Sequence, residues 1–501
     1  MIKRLLSIII ILFLCTSVLD SQNLKDNRVA PKREFRGAWF PTVINSTWRD
    51  MSVDEIKADI ISHLDIFKNL NINAVIFQVR PQGDAMFVSQ IEPWSRFLTG
   101  RQGEATVPLF DPAQFVIEEC HKRGMEMHAW FNPYRVTSNK DEVLSDNHLY
   151  FKRPDLFVKY GTQIYFNPGE PESREHTLRV IADFVKRYDV DAIHLDDYFY
   201  PYKVAYEDFP DEETFRKYHE KDGFSIFSKD DWRRNNVNIL VRELNRTIKS
   251  IKPWVRFGIS PFGVWRNANV DPAGSQTTAL QTNYDDLFAD ILLWTKEGWI
   301  DYNAPQLYWE IGHKKADYLT LVKWWKENSH GVNLYIGQNV NNQINFKNKN
   351  GDIVNQLYRK MALVRENPAA GGNIWWSGLS FSDQKELMDS LMQNYQRYPA
   401  LTPLYSHIDT LSPDPVSILT YKKGFLLWES IKVEDPMQRP HFYCVYKFRN
   451  DQEIDLKDPS ALVAVTGEER FYVGRERRVR YVVTVLDRLQ NESGWSAVVK
   501  R

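Results

Sequence analysis

The sequence has few cysteines and almost no net charge. Only three cysteines occur among 501 residues. Cys120 and Cys444 lie far apart in the chain, so we expect two buried thiols and no disulfide framework. The net charge of −1 argues against a protein that binds nucleic acid, because no excess of basic residues is present to hold phosphates. The hydrophobic fraction of 43% and the charged fraction of 26% are typical of a globular protein and not of a disordered chain or of one with several membrane spans.

Motifs of several other enzyme classes are also absent. The chain contains no Gly-rich phosphate loop and no Gly-x-Ser-x-Gly elbow. A metal-dependent deacetylase or hydrolase could use His194 with Asp196 and Asp197 as ligands, but no His-x-His or His-x-x-x-His pair supplies further ligands. Metal catalysis therefore remains the weaker alternative, and we expect no metal and no cofactor.

The first 22 residues have the pattern of a signal peptide. Lys3 and Arg4 precede an apolar run from Leu5 to Leu14, which is too short to span a bilayer stably. Cys15 follows this run at the place where a lipoprotein signal carries its lipidated cysteine, although Leu14 is bulkier than the usual residue there. The segment predicts an exported protein of the periplasm, outer membrane or cell surface. A lipid anchor at Cys15 is an open alternative and the only membrane contact that we expect.

Residues 23–396 carry a repeated pattern of strand and helix signals. A short apolar or aromatic run is followed by a polar loop and then by a stretch with helical periodicity. Strands that alternate with helices form parallel sheets, and eight such units close into a (β/α)8 TIM barrel. The predicted strands cover residues 35–40, 73–79, 126–131, 192–197, 256–262, 302–309, 333–339 and 372–377.

The pattern changes near residue 397. Residues 397–412 are rich in Pro, Ser and Thr, which is typical of a linker. Residues 413–501 contain short strands with turn signals and no helical stretch, so they predict a small all-β sandwich. The strands around 425–430, 442–448 and 479–488 resemble those of a fibronectin type III module, whose role the sequence leaves open.

The stretch VDAIHLDDYFYP, residues 190–201, is the predicted centre of the active site. Side chains alternate along a strand, so Ala192, His194 and Asp196 point together into the barrel while Asp197 lies at its rim. A single aspartate at a strand end is most often a structural acid or a helix cap. Two adjacent carboxyl groups at the end where barrel enzymes place their sites favour a catalytic role instead.

The sixth predicted strand supplies a third candidate acid. Gln306, Tyr308 and Glu310 share one face, and Glu310 arrives at the strand end across the mouth from Asp196. Two carboxyl groups facing each other can cleave a glycosidic bond, one as nucleophile or stabiliser and the other as proton donor. Asp197 and Glu310 are both candidates for the proton donor, and an exposed loop acid is the alternative interpretation of Glu310.

Amides, guanidinium groups and aromatic rings accumulate after several strands. Such groups hydrogen-bond to sugar hydroxyls and stack on pyranose faces, although each one alone could equally be a core residue or an ion pair. The predicted substrate-binding residues are Arg80, Asp84, Asn132, Tyr134, Arg135, His194, Tyr198, Trp265, Gln306, Tyr308, Asn339, Trp375 and Trp376.

Six motifs between residues 33 and 396 resemble one bacterial family in order. They are FRGAWFPTV, INAVIFQVRPQGDAMF, MEMHAWFNPYR, VDAIHLDDYFYP, DYNAPQLYWE and GGNIWWS, and the family is the glycosyl hydrolase-like 10 family. The resemblance implies an exported (β/α)8 glycosidase, with a related enterobacterial member acting on peptidoglycan glycan strands that lack peptides.

The catalytic strand departs from the patterns of better known barrels. Tyr198 occupies the position where the chitinase pattern Asp-x-x-Asp-x-Asp-x-Glu has its acid. Adjacent aspartates at this place are similar to those of hexosaminidases that use the acetamido group of the substrate as the nucleophile. Each comparison puts Asp196 at the centre, as nucleophile or as the group that orients the acetamide, and none identifies the proton donor.

Two functions are therefore carried forward. The first is a monomeric, exported glycoside hydrolase that cleaves a polysaccharide, with peptidoglycan glycan strands as a candidate. The second is a degenerate barrel that binds glycans without cleaving them, which the missing chitinase acid favours.

Overall fold

The computed structural model describes residues 30–43, 47–347, 351–367 and 369–501. The predicted signal peptide at residues 1–22, with Cys15, lies outside the described residues. Among the helices that are described, none is both long enough and apolar enough to cross a bilayer.

Eight parallel strands form a closed barrel, which confirms the predicted fold class. Each strand pairs with the strands before and after it in the chain, and the first pairs with the last. The strands are β1 Phe35–Phe40, β2 Ala74–Arg80, β3 Glu126–Phe131, β4 Ala192–Leu195, β5 Arg256–Ile259, β6 Tyr302–Asn303, β7 Asn333–Asn339 and β8 Ala370–Trp376.

Helices cover the outside of the barrel. The first begins after Ser52, which forms a capping box with Glu55, and it buries Ile56, Ile60 and Leu64 at helical spacing against the strands. The helices that follow the eight strands are α1 Val53–Asn69, α2 Pro112–Lys122, α3 Pro171–Arg187, α4 Lys229–Ile251, α5 Ile291–Lys296, α6 Tyr318–Glu327, α7 Leu357–Arg365 and α8 Lys385–Ser390.

The long insertions lie after β2, β3 and β4, at the carboxyl ends of the strands. The insertion after β3 contains a hairpin of Phe157–Tyr160 and Gln163–Phe166. The short helices of these insertions are Arg96–Thr99, Leu149–Lys152, the 3-10 helix Pro154–Leu156 and Glu212–Tyr218. Loops at this end of a (β/α)8 barrel build its functional site.

Large side chains fill the barrel interior. Phe35 stacks on Tyr335 with ring centroids 3.9 Å apart, and Trp39, Ile76 and Tyr302 belong to the same buried cluster. The interior is therefore a packed core, and a ligand has access only above it.

The C-terminal region consists of two antiparallel sheets, as expected for a small all-β domain. Leu426 and Trp428 from one sheet share a hydrophobic core with Val445 and Val483 from the other. The resemblance to a fibronectin type III module remains a prediction. The strands are β9 Ile418–Lys422, β10 Phe425–Glu429, β11 Phe442–Arg449, β12 Leu462–Thr466, β13 Arg470–Tyr472, β14 Val479–Leu486 and β15 Val499–Lys500, in the orders β9-β10-β13 and β12-β11-β14-β15.

The predicted linker, residues 397–412, is packed against the amino-terminal end of the barrel. Leu401 forms backbone hydrogen bonds with Lys32 and Glu34, beside the start of β1. Tyr405 from this segment and Leu489 from the C-terminal domain both belong to the interior cluster of the barrel. These two side chains therefore close the floor of the barrel.

Candidate active site

A cavity of about 510 Å³ lies at the carboxyl end of the barrel strands. This volume is within the range of small-molecule sites. Asp196 and Asp197, which directly follow β4, both line it. The strand delivers them there because Ile193 and Leu195 pack outward against the helices, while Ala192 belongs to the interior cluster.

Asp196 is held by nitrogen donors from the neighbouring strand. Trp130 Nε1 donates to its Oδ2 at 3.0 Å, and Asn132 Nδ2 donates to the same oxygen at 3.1 Å. The backbone N–H of Tyr198 donates to Oδ1 at 3.4 Å. Burial raises the pKa of Asp196, whereas the nearby charge of Arg135 and these donors oppose that rise. Asp196 is thus a positioned carboxylate with its charge partly compensated.

Asp197 differs from its neighbour in its environment. It is 2% exposed and accepts a hydrogen bond from the Tyr202 hydroxyl. Burial, together with repulsion from Asp196, raises the pKa of Asp197 to about 7. When the pair carries one proton, Asp197 is the residue that holds it, because Asp196 has more donors and a nearby arginine.

Aromatic rings form the wall and floor of the cavity. Trp376 from the end of β8 packs edge-to-face against Trp39 and Trp130, with ring centroids 6.3 Å and 5.9 Å away. Tyr308 packs edge-to-face against Trp39 at 6.4 Å. All four rings line the cavity, and they give it an apolar compartment beside the two aspartates.

On the side of the cavity that the insertions form, the side chains of two tyrosines and an arginine are stacked. Tyr198 stacks on Tyr202 at 5.1 Å, and the guanidinium of Arg135 lies 5.1 Å from the Tyr198 ring. Arg135 also donates to the Pro81 carbonyl at 2.9 Å. These contacts fix Tyr202 beside Asp197 and keep a positive charge near Asp196.

His194 lies one step below the cavity and connects its floor to the barrel core. Its Nε2 accepts from Trp39 Nε1 at 3.2 Å and lies 3.0 Å from Ser260 Oγ. Because an indole N–H can only donate, Nδ1 carries the proton of the neutral ring and donates to Tyr302 Oη at 2.9 Å. Burial lowers the pKa of His194 well below its usual range, so the ring is neutral.

The same chain of hydrogen bonds continues to the amino-terminal end of the barrel. The Tyr302 hydroxyl donates to His128 Nδ1 at 2.9 Å, and His128 Nε2 donates to Glu126 at 2.9 Å. Glu126 pairs with Arg256 at 2.9 Å and accepts from Thr402 and Gln490 of the C-terminal segment. A continuous row of buried polar groups therefore joins the floor of the cavity to the C-terminal domain.

The structure brings nine of the predicted site residues to the cavity or directly behind it. Asn132 and His194 are the two that lie behind it, as supports of Asp196 and of the cavity floor. The residues that line it are Asp196, Asp197, Arg135, Tyr198, Gln306, Tyr308 and Trp376.

Glu310 does not line the cavity. Its side chain is partly exposed and lies close enough to Lys360 to raise the pKa of that lysine, which burial lowers to about 8. The structure therefore leaves Asp197 as the candidate acid inside the cavity.

Six other predicted binding residues are engaged elsewhere. Arg80 pairs with Glu92 at 2.5 Å, and Asn339 caps the next turn through Asn341. The remaining four are buried away from the cavity: Tyr134 and Trp375 pack outward in the core between strands and helices, Trp265 stacks on Trp324 at 5.8 Å, and Asp84 accepts from Gln102 at 3.3 Å.

Several cavity residues were not selected from the sequence. Trp39 and Trp130 are the inward-facing residues near the ends of β1 and β3, so strand alternation could have found them. Ser260 and Phe262 follow β5 in the same way. Tyr202 carries no such signal, because its place beside Asp197 depends on how the loop after β4 folds back.

Comparisons with known proteins agree with this architecture. The family model described as Glycosyl hydrolase-like 10 matches residues 34–354. Glycosyl hydrolase YngK of Bacillus subtilis (strain 168) is 41% identical over 482 residues, which cover 92% of this chain and 92% of the relative. Glycosyl hydrolase DigH of Escherichia coli (strain K12) is 41% identical over 324 residues, which cover 60% of this chain and 72% of the relative.

Solved structures share the architecture only distantly. The PgaB (BpsB) glycoside hydrolase domain from Bordetella bronchiseptica aligns with a TM-score of 0.46 and 11% sequence identity, covering 73% of this chain and 99% of that chain. At this TM-score the alignment gives no information beyond the strand order of the barrel.

Proposed function

Because the chain belongs to the glycosyl hydrolase-like 10 family and is a glycosidase, we propose that it cleaves N-acetylated glycans with the acetamido group of the substrate as nucleophile. One observation carries the proposal. The carboxyl groups among the residues that line the cavity belong to two consecutive residues, Asp196 and Asp197, and burial with repulsion from Asp196 raises the pKa of Asp197 to about 7.

The positions of these two acids bear on the choice between two mechanisms that retain the configuration at the anomeric carbon. In one the nucleophile is a carboxylate of the protein, and in the other it is the acetamido group of the substrate. A carboxylate nucleophile requires a second carboxyl group about 5 to 5.5 Å away that acts on the leaving oxygen. Glu310, the candidate for such a partner on another strand, is outside the cavity. Enzymes in which the acetamido oxygen attacks the anomeric carbon need no protein nucleophile, and two neighbouring acids at one strand end suffice.

Asp197 is suited to be the general acid and base. A proton donor works best when its pKa is near the working pH, and the pKa of Asp197 is raised to about 7. The Tyr202 hydroxyl fixes the orientation of its carboxyl group.

Asp196 is suited to orient the acetamide. Its carboxylate already accepts from Trp130 and Asn132 and lines the cavity with capacity for one more donor. By accepting the acetamide N–H it would turn the carbonyl oxygen towards the anomeric carbon and stabilise the positive charge that develops on the nitrogen. The apolar compartment of Trp39, Trp130 and Trp376 would enclose the acetamide methyl group.

The proposed reaction has two steps. First, the acetamide oxygen forms a bond to the anomeric carbon, the glycosidic C–O bond breaks, and the Asp197 proton goes to the leaving oxygen. The product of this step is an oxazolinium ion, whose N–H bonds to Asp196. Second, a water molecule attacks the anomeric carbon and gives a proton to Asp197. The bond between the anomeric carbon and the acetamide oxygen breaks, and the oxazolinium ring opens. The sum is hydrolysis with retained configuration at the anomeric carbon.

We extend the proposal to peptidoglycan glycan strands as the substrate. Both sugars of these strands carry the acetamido group that the mechanism needs, and the predicted signal segment at residues 1–22 would export the enzyme to the compartment that contains them. A lipid anchor at Cys15 would hold it at the membrane surface.

Reducing ends released from peptide-free glycan strands test the activity. An N-acetylglucosamine oligosaccharide and a glucose oligosaccharide of the same linkage form the matched pair. We expect cleavage of the acetylated substrates, no cleavage of the glucose oligosaccharide, and inhibition by a thiazoline analogue of the oxazolinium ion. Asp196→Asn and Asp197→Asn should each lower kcat/KM at least about 10²-fold.

The outcomes separate the alternatives. A covalent glycosyl ester trapped on Asp196, or equal cleavage of both oligosaccharides, would overturn the acetamide mechanism while leaving a glycosidase. Tight binding of the strands without new reducing ends would support the degenerate glycan-binding barrel.

A further inference from the structure

A second cluster of ionisable side chains lies at the opposite end of the barrel, where the C-terminal domain meets it. His121 comes from the last turn of α2, Asp191 directly precedes β4, and His441 directly precedes β11. One nitrogen or oxygen atom from each lies within 4.8 Å of the other two. Asp191 is five residues before Asp196, about 16 Å along the strand, so this cluster is separate from the cavity.

His441 and Asp191 form a close ion pair between the two domains. His441 Nε2 lies 2.7 Å from Asp191 Oδ1, but the two groups are poorly aligned for a hydrogen bond. Both side chains are buried, with exposed fractions of 5% and 0%. A nitrogen and a carboxylate oxygen that face each other in this way are arranged as two ligands of one cation.

The other contacts complete such an arrangement. The imidazole rings of His121 and His441 lie 4.8 Å apart at an interplanar angle of 84°, so they approach the shared carboxylate from different directions. His121 Nε2 lies 2.9 Å from Asp191 Oδ2, and the Met127 N–H donates to that same oxygen at 2.7 Å. A backbone donor to the carboxylate is the kind of support that fixes a metal ligand.

We propose that His121, Asp191 and His441 bind a divalent transition-metal ion of the zinc type. Two imidazole nitrogens and one carboxylate oxygen are a ligand set that zinc accepts, with a water molecule as the fourth ligand. The 18% exposed side chain of His121 leaves one side open for that water and for entry of the ion. Arg488 is nearby, but its charge is neutralised by Asp189 at 2.6 Å.

The ion would join the two domains of the chain. His121 and Asp191 belong to the barrel, whereas His441 belongs to the C-terminal domain, so binding would stabilise the contact between them. The site has no place in glycosidic cleavage. Removal of the ion by a chelator would lower activity only by destabilising the protein. A loss of activity on chelation would therefore not indicate a metal-dependent reaction.

Metal binding to the full chain tests the site. The protein is stripped with a chelator and titrated with Zn²⁺ against a competing chromophoric chelator. We expect one tight site per chain, weakened at least about 100-fold in His121→Gln and His441→Ala. His407→Ala is the matched control, because His407 also bridges the C-terminal segment to the barrel, through Asp301 at 2.9 Å, but lies outside the cluster.

Two further measurements keep the test decisive if His441→Ala folds poorly. Zn²⁺ should raise the thermal midpoint of the wild type and His407→Ala but not of His121→Gln. Co²⁺ should give the absorption bands of a tetrahedral site in the same two proteins only. If Zn²⁺ binds equally well to His121→Gln, or binds none of the proteins tightly, the cluster is an ionic contact between domains and the proposal is wrong.

Discussion

Asp197 combines burial with a neighbouring negative charge, and both effects favour its protonated form. The same properties that suit it to donate a proton also oppose folding at neutral pH, because ionising the group costs free energy only in the folded state. Asp197 is thus a residue at which activity and stability conflict.

The pH dependence of cleavage should report this residue. We expect kcat/KM to fall as the pH rises above about 7, because Asp197 then loses the proton that it donates. Tyr202→Phe removes the hydrogen bond that lowers the pKa of Asp197, so the fall should move to higher pH. Rates on a chromogenic acetamido sugar across pH 5 to 9 would measure it. Tyr206→Phe is the matched control, since Tyr206 is fully exposed, and a fall at the same pH in the wild type and Tyr202→Phe would contradict the assignment.

Asp197→Asn should stabilise the protein while inactivating it. The pKa of Asp197 is about 7 in the folded state, above the 3.8 of an unperturbed aspartate, so the folded state binds more protons between these values and the wild type loses stability as the pH rises through that window. The free-energy gain of Asp197→Asn should therefore be absent near pH 3.5 and reach about 3 to 5 kcal/mol above pH 7. Urea unfolding at both pH values would measure it. A gain that is the same at both would show that Asp197 is ionised in the fold.

Some residues of the site could be predicted from the sequence, because side chains alternate between the two faces of a strand. Asp196 lines the cavity and His194 lies directly below it, as the alternation along residues 192–197 predicts. Trp375 was grouped with Trp376 although neighbouring residues on a strand point to opposite faces. The partner of Arg80 could not be predicted, because Glu92 reaches it through the fold of an insertion.

At the scale of elements, the barrel strands hold a row of polar groups along their inner faces. Tyr302 is the middle member, since its hydroxyl bonds to both His194 and His128. The row fixes the protonation of both rings and so the hydrogen bond that His194 accepts from Trp39 at the cavity floor.

Removing the central hydroxyl should be costly. Tyr302→Phe keeps the ring but leaves one nitrogen of each histidine unpaired in the core, at about 1 to 3 kcal/mol for each group. Tyr134→Phe is the matched control, since the buried Tyr134 hydroxyl has no partner. Unfolding in urea would compare them. Equal effects of the two substitutions would mean that the row contributes nothing to stability.

Six of the eight barrel strands were predicted from the sequence to within two residues, whereas β5 and β6 end earlier than predicted. The predicted bounds of β1, β3 and β7 are those of the structure. The sixth predicted strand, 302–309, pairs as a ladder only over Tyr302–Asn303. Pro305 has no N–H to donate to a ladder, and the chain continues through isolated bridges from Gln306 to Phe262 and Gly337.

At the scale of the molecule, the barrel and the C-terminal domain depend on each other. Tyr405 and Leu489 fill the floor of the barrel, and Glu126 at that floor accepts hydrogen bonds from Thr402 and Gln490. The floor of the barrel is therefore completed by residues that follow its eighth strand, which ends at Trp376.

Leu489→Ala should destabilise the barrel although the residue lies in the other domain. Leu489 is fully buried, and truncating such a leucine costs about 2 to 5 kcal/mol. Leu411→Ala, at a leucine that is 63% exposed, should change little. Unfolding followed by the fluorescence of the barrel tryptophans would compare the two variants, and a Leu489→Ala barrel as stable as that of Leu411→Ala would contradict the role of the floor.

The floor of the barrel also has a consequence for biosynthesis. A ribosome releases the eight strands well before it releases Leu489, because chains emerge from their amino terminus. Until Leu489 is present, the lower end of the aromatic interior lacks a side chain that covers it. We therefore expect the barrel core to be completed only when almost the whole chain is available to fold.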